Sequence, residues 1–299
     1  MGKKVGFLIL WIMLSIVAGI AIWQWGKNDC GLGEALSGAF IAIFLEKAWS
    51  SIQDILDTTN WKKSQRMLKR GGFINDDTII RISFAYLFRI KAADKYLLVP
   101  NGRNTGKYQP VGGVYKLTDG EKLYLKNHYQ VMDDNKILID ESSRNDYRLR
   151  MSSKYLRSFV RRFDGKAVRE RIENLSREFK EELIDTGILS WSQIKYRFCG
   201  RHMTELRFGE HFQIYELLLA DVVELIPTSE QEKDLKSLLG TESDQYKFAT
   251  AEQISCLGMN TETGELFEWI GDHTKKILQE NEGDLDKVTG VGKVFTVHL

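Results

Sequence analysis

Twenty-one consecutive residues without a charge, Val5 to Trp25 (VGFLILWIMLSIVAGIAIWQW), leave this chain few choices at its N-terminus. About 20 apolar residues in helical form cross the hydrocarbon core of a bilayer. A helix also satisfies its own backbone polar groups where no water can. Lys3 and Lys4 precede the run, and Trp23 and Trp25 close it, where indole rings favour the membrane interface. A cleaved signal peptide is the competing reading, but the apolar stretch is long for one and no A-x-A site follows. The run is read as a membrane helix.

A second apolar segment lies within Gly31–Trp49, densest from Ala35 to Leu45 and bounded by Glu34 and Glu46. Its length also suits an interfacial or core helix. Charge favours a span. Lys3 and Lys4 lie before the first segment, and Lys62, Lys63, Arg66, Lys69 and Arg70 follow the second. With basic residues facing the cytoplasm at both ends, the number of crossings is even. The expectation is a two-helix transmembrane hairpin over 1–49, with spans about 5–25 and 31–49, and a helical connector over 50–72. Gly31, Ala35, Gly38 and Ala42 recur at helical spacing. Small residues on one face permit close helix approach, which serves either self-association or packing inside the hairpin.

The remainder, 73–299, reads as one mixed α+β domain. Ile79–Ile90 and Lys95–Val99 alternate as strands, and Tyr108–Leu117 gives a further strand interrupted by Gly112-Gly113. Val168–Thr186 has helical periodicity ending before Gly187. Ile194–Gly200 and His211–Leu219 read as strands, which makes His211 a packed residue. Glu230–Leu239 and Glu265–Glu280 read as helices, and Lys293–His298 as a last strand. A net charge of +1, from 42 basic and 41 acidic residues, gives no global field for long nucleic acid. The three cysteines, Cys30, Cys199 and Cys256, have no ligand-like spacing.

Arg177-Glu178-Phe179-Lys180-Glu181-Glu182 carries the chemistry. In an α-helix Glu178, Glu181 and Glu182 fall at i, i+3 and i+4 and share a face. Such a face suits Mg²⁺, a hard cation that takes oxygen ligands together with phosphates. The alternative is a solvated face with intrahelical pairs such as Arg177–Glu181. Upstream stands Gln109-Pro110-Val111-Gly112-Gly113.

Together these segments resemble the Nudix superfamily, whose box is G-x5-E-x7-R-E-U-x-E-E-x-G-U with U aliphatic. Gly112, Arg177, Glu178, Glu181 and Glu182 match, and Phe179 takes the aliphatic position. The resemblance implies a Nudix-like α/β/α sandwich, with Mg²⁺ as the cofactor held by the three glutamates. There are departures. The pattern has 13 residues between its glycine and arginine, and here residues 113 to 176, 64 in number, intervene. An insertion over about 114–167 accounts for the excess. Counted forward from Gly112 the box glutamate falls on Thr118, with Glu121 nearby, and the closing glycine is replaced by Ile184.

The insertion ends with Tyr155, Phe159 and Phe163 every four residues and Arg157 and Arg161 on a neighbouring face. Arginines clamp phosphates and aromatics stack on bases. An amphipathic helix with its rings packed inside is the preferred alternative. Arg103, before the glycine pair, and Arg201 and His202, after a strand, are further ligand candidates with Gln109, Gly112 and Gly113.

A membrane anchor followed by a Nudix-like domain is similar to the membrane effectors of bacterial cyclic-oligonucleotide antiphage signalling (CBASS), with a SMODS-associated Nudix-type sensor. That resemblance implies a bacterial inner-membrane protein with its Nudix-like domain in the cytoplasm. Its partners would be a cyclic oligonucleotide, the lipid bilayer and copies of itself, and assembly of its spans would disrupt the membrane. The alternatives are a membrane-tethered Mg²⁺-dependent Nudix hydrolase of nucleoside diphosphate derivatives, and an anchor whose domain binds only protein.

Overall fold

The computed structural model describes residues 2–27, 31–56, 59–102, 105–137, 140–141, 143–261, 263–278, 285–288 and 292–299. Two compact units result, Met1–Phe73 and Ile74–Leu299.

In the first unit α1 (Gly2–Gly26) and α2 (Gly31–Leu56) are followed by α3 (Asn60–Arg70). The apolar side chains of α1, among them Phe7, Ile9, Ile16 and Ile20, point outward. That is the inverse of a helix in a water-soluble core, and it is the arrangement a lipid solvent rewards. Among the described residues, Gly6–Gly26, with a mean hydropathy of 2.4, is the stretch long and apolar enough to cross a membrane. The two long helices run antiparallel: Trp11 stacks on Phe44 at 6.1 Å, and Gly33 lies against the Trp25 ring. Gly38 and Ala42 are exposed on α2, so these two residues of the small stripe do not serve packing against α1. The expected connector is helical in two pieces, the end of α2 and α3.

The second unit is built around β1 (Ile79–Arg89), whose residues are mostly buried. A strand hidden on both faces needs a layer on each. β1 pairs in parallel with β10 (Ile214–Leu225). Its other edge is shared antiparallel by β5 (Gly112–Val114) and β7 (Arg148–Ser152). β8 (Gln193–Met203), β9 (Arg207–Gly209), β12 (Val294–His298) and β6 (Met132–Asp133) complete the sheet. Beneath it, Phe84, Tyr86 and Phe88 pack against Tyr115, Phe163, Phe179 and Tyr196, with ring centroids 4.8 to 6.1 Å apart. These rings come partly from α5 (Leu156–Asp164) and α6 (Arg177–Phe179).

On the other face Leu87 and Ala220 are covered by Leu98, Tyr108, Ala249 and Ile277. That cover is chiefly a second sheet of β2 (Lys91–Ala92), β3 (Lys95–Pro100), β4 (Tyr108–Gln109) and β11 (Lys247–Thr250), with α8 (Ala251–Ser255) and a 3₁₀ turn over Asp272–Ile277. α7 (Ser229–Leu239), closed by a capping box at Thr228 and Gln231, matches its expected helix. The α/β/α expectation is corrected on this face, where strands take most of the place of helices.

Other expectations shift. The helix of 168–186 is reduced to a 3₁₀ turn at Ile172–Asn174 and an α-helix that starts at Arg177, because Leu175 between them is extended and its N–H is held by the Tyr196 hydroxyl at 2.8 Å. From Lys180 to Ile184 it widens into a π-helical turn. The helix of 265–280 is reduced to the 3₁₀ turn in its described part. His211 is exposed in the turn before β10, not packed in a strand. The insertion is a folded part of the sheet: Thr118 caps α4 (Asp119–Tyr129) through the Glu121 N–H, and β7 continues the edge that β5 begins.

Candidate functional site

The insertion closes at its own base. Leu117 bridges Arg169, the Thr118 N–H donates to the Val168 carbonyl (3.3 Å), and the Glu170 N–H donates to the Lys116 carbonyl (2.8 Å). With residues 118 to 168 set aside across that bridge, 13 residues separate Gly112 from Arg177. This is the spacing of the Nudix pattern. The segments that looked sundered in sequence are therefore joined in space.

The joined spacing puts Arg169 where the pattern has its glutamate, and the carboxylate that meets Arg177 is Glu170, one residue on, which sequence counting missed because it ran forward from Gly112 into the insertion. Counting back from Arg177 reaches Arg169, its neighbour. Glu170 accepts from Arg177 Nη2 (3.2 Å), the Lys116 N–H (3.3 Å) and the Tyr86 hydroxyl (3.0 Å). Glu121 serves elsewhere: its carboxylate is clamped by Arg162 at 2.7 Å on both oxygens, with Arg162 also over the Tyr124 ring.

The glycine pair is explained by what stands against it. A Cβ at Gly113 would fall 1.8 Å from Glu178 Oε1, so the carboxylate occupies the space a side chain would need. Gly112 has φ +148°, and a Cβ there would meet the Tyr86 carbonyl at 2.3 Å. Its N–H donates to Glu182 Oε2 at 3.0 Å. Arg177 Nη1 donates to Glu178 Oε1 (2.5 Å) and lies 3.7 Å from Glu181 Oε2, while its Nη2 reaches the Val114 carbonyl (3.0 Å).

Burial, and next the Glu178 carboxylate, push the Glu182 carboxyl up to about 8, against the pull of the Gly112 N–H. Glu181 is raised by burial and by Glu178. Carboxyl groups are thus crowded at this edge, and a divalent cation there would favour their charged forms. As placed, among the described residues, no three such side chains converge on one point: Glu178 turns to Arg177 and Glu182 to Gly112. The donors are nonetheless hard oxygens beside a cleft, and they fit the chemistry of Mg²⁺.

That cleft measures about 570 Å³, within the range of small-molecule sites. Ser83 and Ala85 of β1, both small, are among the residues that line it. Arg148, which pairs with Asp146 at 3.1 Å, comes from the insertion, and His273 and Lys276 come from the 3₁₀ turn.

The expected ligand residues divide. Gln109, Gly112 and Gly113 line this cleft with the three glutamates, and Gln109 accepts from Asn101 Nδ2 at 2.6 Å. Arg103 lies outside the described residues. Arg157 and Arg161 are exposed on α5, whose Phe159 and Phe163 pack under Phe84 on the face of the sheet away from Ser83 and Ala85. The packing reading of that helix is the one observed. Arg201, expected to meet ligand, instead makes a buried bidentate pair with Asp221 (2.6 and 2.9 Å) and a bond to Asp164 (2.6 Å). The His202 Nε2 lies 3.0 Å from the Lys276 carbonyl and so supports the 3₁₀ turn.

No curated protein matches the sequence. The crystal structure of a UDP-X diphosphatase aligns over 94% of this chain and 95% of that chain at 10% identity, with a TM-score of 0.25, a likeness too weak to bear on the assignment. Residues 79–278 match the profile of the SMODS-associated NUDIX domain. That span takes in β1, the glycine pair, the insertion, the box and the 3₁₀ turn, and the chain belongs to the SMODS-associated NUDIX domain family.

Proposed function

We propose that the chain is a membrane-anchored receptor whose cleft binds a cyclic oligonucleotide and thereby drives assembly of its N-terminal helices in the bacterial inner membrane, with the Nudix domain on the cytoplasmic side. One observation carries this reading: a helix with its apolar side chains turned outward and a SMODS-associated NUDIX domain with a joined box and an open cleft belong to one chain. In this reading α2 is the second crossing, and exposed Gly38 and Ala42 are available to a neighbouring copy. Ligand acts by binding the assembled state better than the dispersed one. Disruption of the membrane in antiphage defence is the consequence proposed for assembly.

Glu178, Glu181 and Glu182 would hold Mg²⁺, which supplies neutralisation of phosphate charge. Arg177 positions Glu178, and the Gly112 N–H holds Glu182.

A second reading, a tethered hydrolase of nucleoside diphosphate derivatives, is favoured by the restored spacing and the Glu170–Arg177 pair. The π-helical turn at Glu181 and Glu182, in place of a regular helix closed by glycine, argues against a standard geometry.

Calorimetric titration of the full chain in detergent with cyclic di- and trinucleotides, with and without Mg²⁺, separates the readings. Tight binding of one cyclic nucleotide recovered intact supports the receptor. Turnover of linear diphosphates lost in Glu178→Gln and Glu182→Gln supports the hydrolase, and no binding across the panel overturns the receptor.

A further inference from the structure

The 3₁₀ turn Asp272–Ile277 is held more firmly than its length requires. Arg89, fully buried in β1, donates through Nε to the Ile277 carbonyl (2.5 Å) and through Nη2 to the Leu278 carbonyl (3.2 Å). His202 of β8 meets the Lys276 carbonyl. At the other end the Gly271 N–H donates to the Tyr108 carbonyl (2.9 Å), and Ile270 bridges Tyr108 of β4. Three strands therefore fix six residues of backbone. A buried arginine that holds two carbonyls is a costly device, and with Thr274 and Ile277 fully buried it anchors the turn in the core.

What the turn presents is two nitrogen-bearing side chains. Residues three apart eclipse on a 3₁₀ helix, so His273 and Lys276 share one face, and both line the cleft. Neither side chain has a hydrogen-bond or ion-pair partner among the described residues. Gly271 makes room for the imidazole, since a Cβ there would fall 3.0 Å from His273 Cε1. The charged groups around the pair are Lys107 and Asp272 near His273, and Arg207 and Glu216 near Lys276. Glu216 is engaged by Arg81 at 3.2 Å. The balance at this wall is positive, whereas the box is negative.

We propose that His273 and Lys276 form a metal-independent phosphate subsite, which takes the phosphate of a nucleotide ligand that does not lie at the glutamates. The ligand class follows: a molecule with two separated phosphates, one at the box and one at the turn. Burial first, and then Arg207, lower the Lys276 ammonium's pKa, so an anion beside it restores the charge that burial opposes. His273 supplies a neutral N–H donor, since burial first, and then Lys276, hold its imidazole down at about 4. This inference rests on the reading that the cleft receives nucleotide phosphates.

Inorganic pyrophosphate is the probe, titrated calorimetrically into the full chain in detergent. Without metal, in EDTA, it is expected to bind the native chain and Glu178→Gln/Glu182→Gln alike. Affinity should fall about tenfold or more in Lys276→Met, fall less in His273→Gln and be kept in Lys276→Arg. Adding Mg²⁺ should create a second binding event that is lost in Glu178→Gln/Glu182→Gln and retained in Lys276→Met. Thermal melting of each variant shows that it is folded. Pyrophosphate binding that needs Mg²⁺ and ignores Lys276→Met overturns the subsite and leaves the box reading standing. No pyrophosphate binding in either condition also overturns it, and the cyclic nucleotide titration then shows whether the wider reading falls too.

Discussion

Replacing Glu182 by glutamine isolates the electrostatic cost that the box carries. The Glu182 carboxyl rises from an ordinary 4.5 to about 8 through burial and the adjacent Glu178. A carboxyl with a raised folded pKa holds its proton more tightly folded than unfolded. Its stabilising contribution is full below about 4.5 and is lost as pH rises to about 8, with a slope of at most about 1.4 kcal/mol per pH unit. The whole interval sets a ceiling of roughly 5 kcal/mol. Glu182 is half-buried beside an open cleft, so solvent screening reduces this to about 1–3 kcal/mol. Glutamine still accepts from the Gly112 N–H and cannot ionise. Denaturant unfolding of the full chain in detergent, followed by near-ultraviolet circular dichroism, is expected to give equal stabilities near pH 4. In metal-free buffer near pH 8.5, Glu182→Gln should be more stable by about 1–3 kcal/mol. Saturating Mg²⁺ should raise the native chain and not the variant. Parallel stability profiles across this range would refute the reasoning.

Three further outcomes are expected. Arg201→Met leaves Asp221 buried without its cation and should cost about 3–5 kcal/mol in unfolding experiments, with ligand affinity unchanged where the variant is folded. Arg157→Gln/Arg161→Gln should leave cyclic nucleotide affinity within about twofold of native, since both arginines sit across the sheet from the cleft. Gly113→Ala should displace the Glu178 carboxylate while the flexible side chain absorbs the clash, weakening Mg²⁺ binding about tenfold or more by calorimetry with little loss of melting temperature.

The fold was legible where periodicity or charge is strong. The α1 run, β1, β3, α7 and β12 follow from apolar pattern and capping chemistry. The glycine pair and the three glutamates were legible because their residue types are restrictive: only glycine tolerates Glu178 against position 113. The remainder depended on distant partners. Glu170 is recognisable only once Leu117 meets Arg169, a contact between residues far apart in sequence. Arg201 reads as a ligand residue until Asp221 is found opposite it on β10. His273 and Lys276 carry no sequence signal, because what singles them out is a backbone pinned by Arg89 and His202. The helical pattern of 168–175 was overridden by pairing at Lys116 and by the Tyr196 hydroxyl.

The most direct measurement reconstitutes the full chain in anionic vesicles loaded with a self-quenching dye and adds the cyclic nucleotides one at a time. The account predicts that one of them releases dye, that the nucleotide is recovered intact, and that Glu178→Gln/Glu182→Gln abolishes release. A cyclic nucleotide that binds with no dye release, or a nucleotide that is consumed while the vesicles stay sealed, would contradict it.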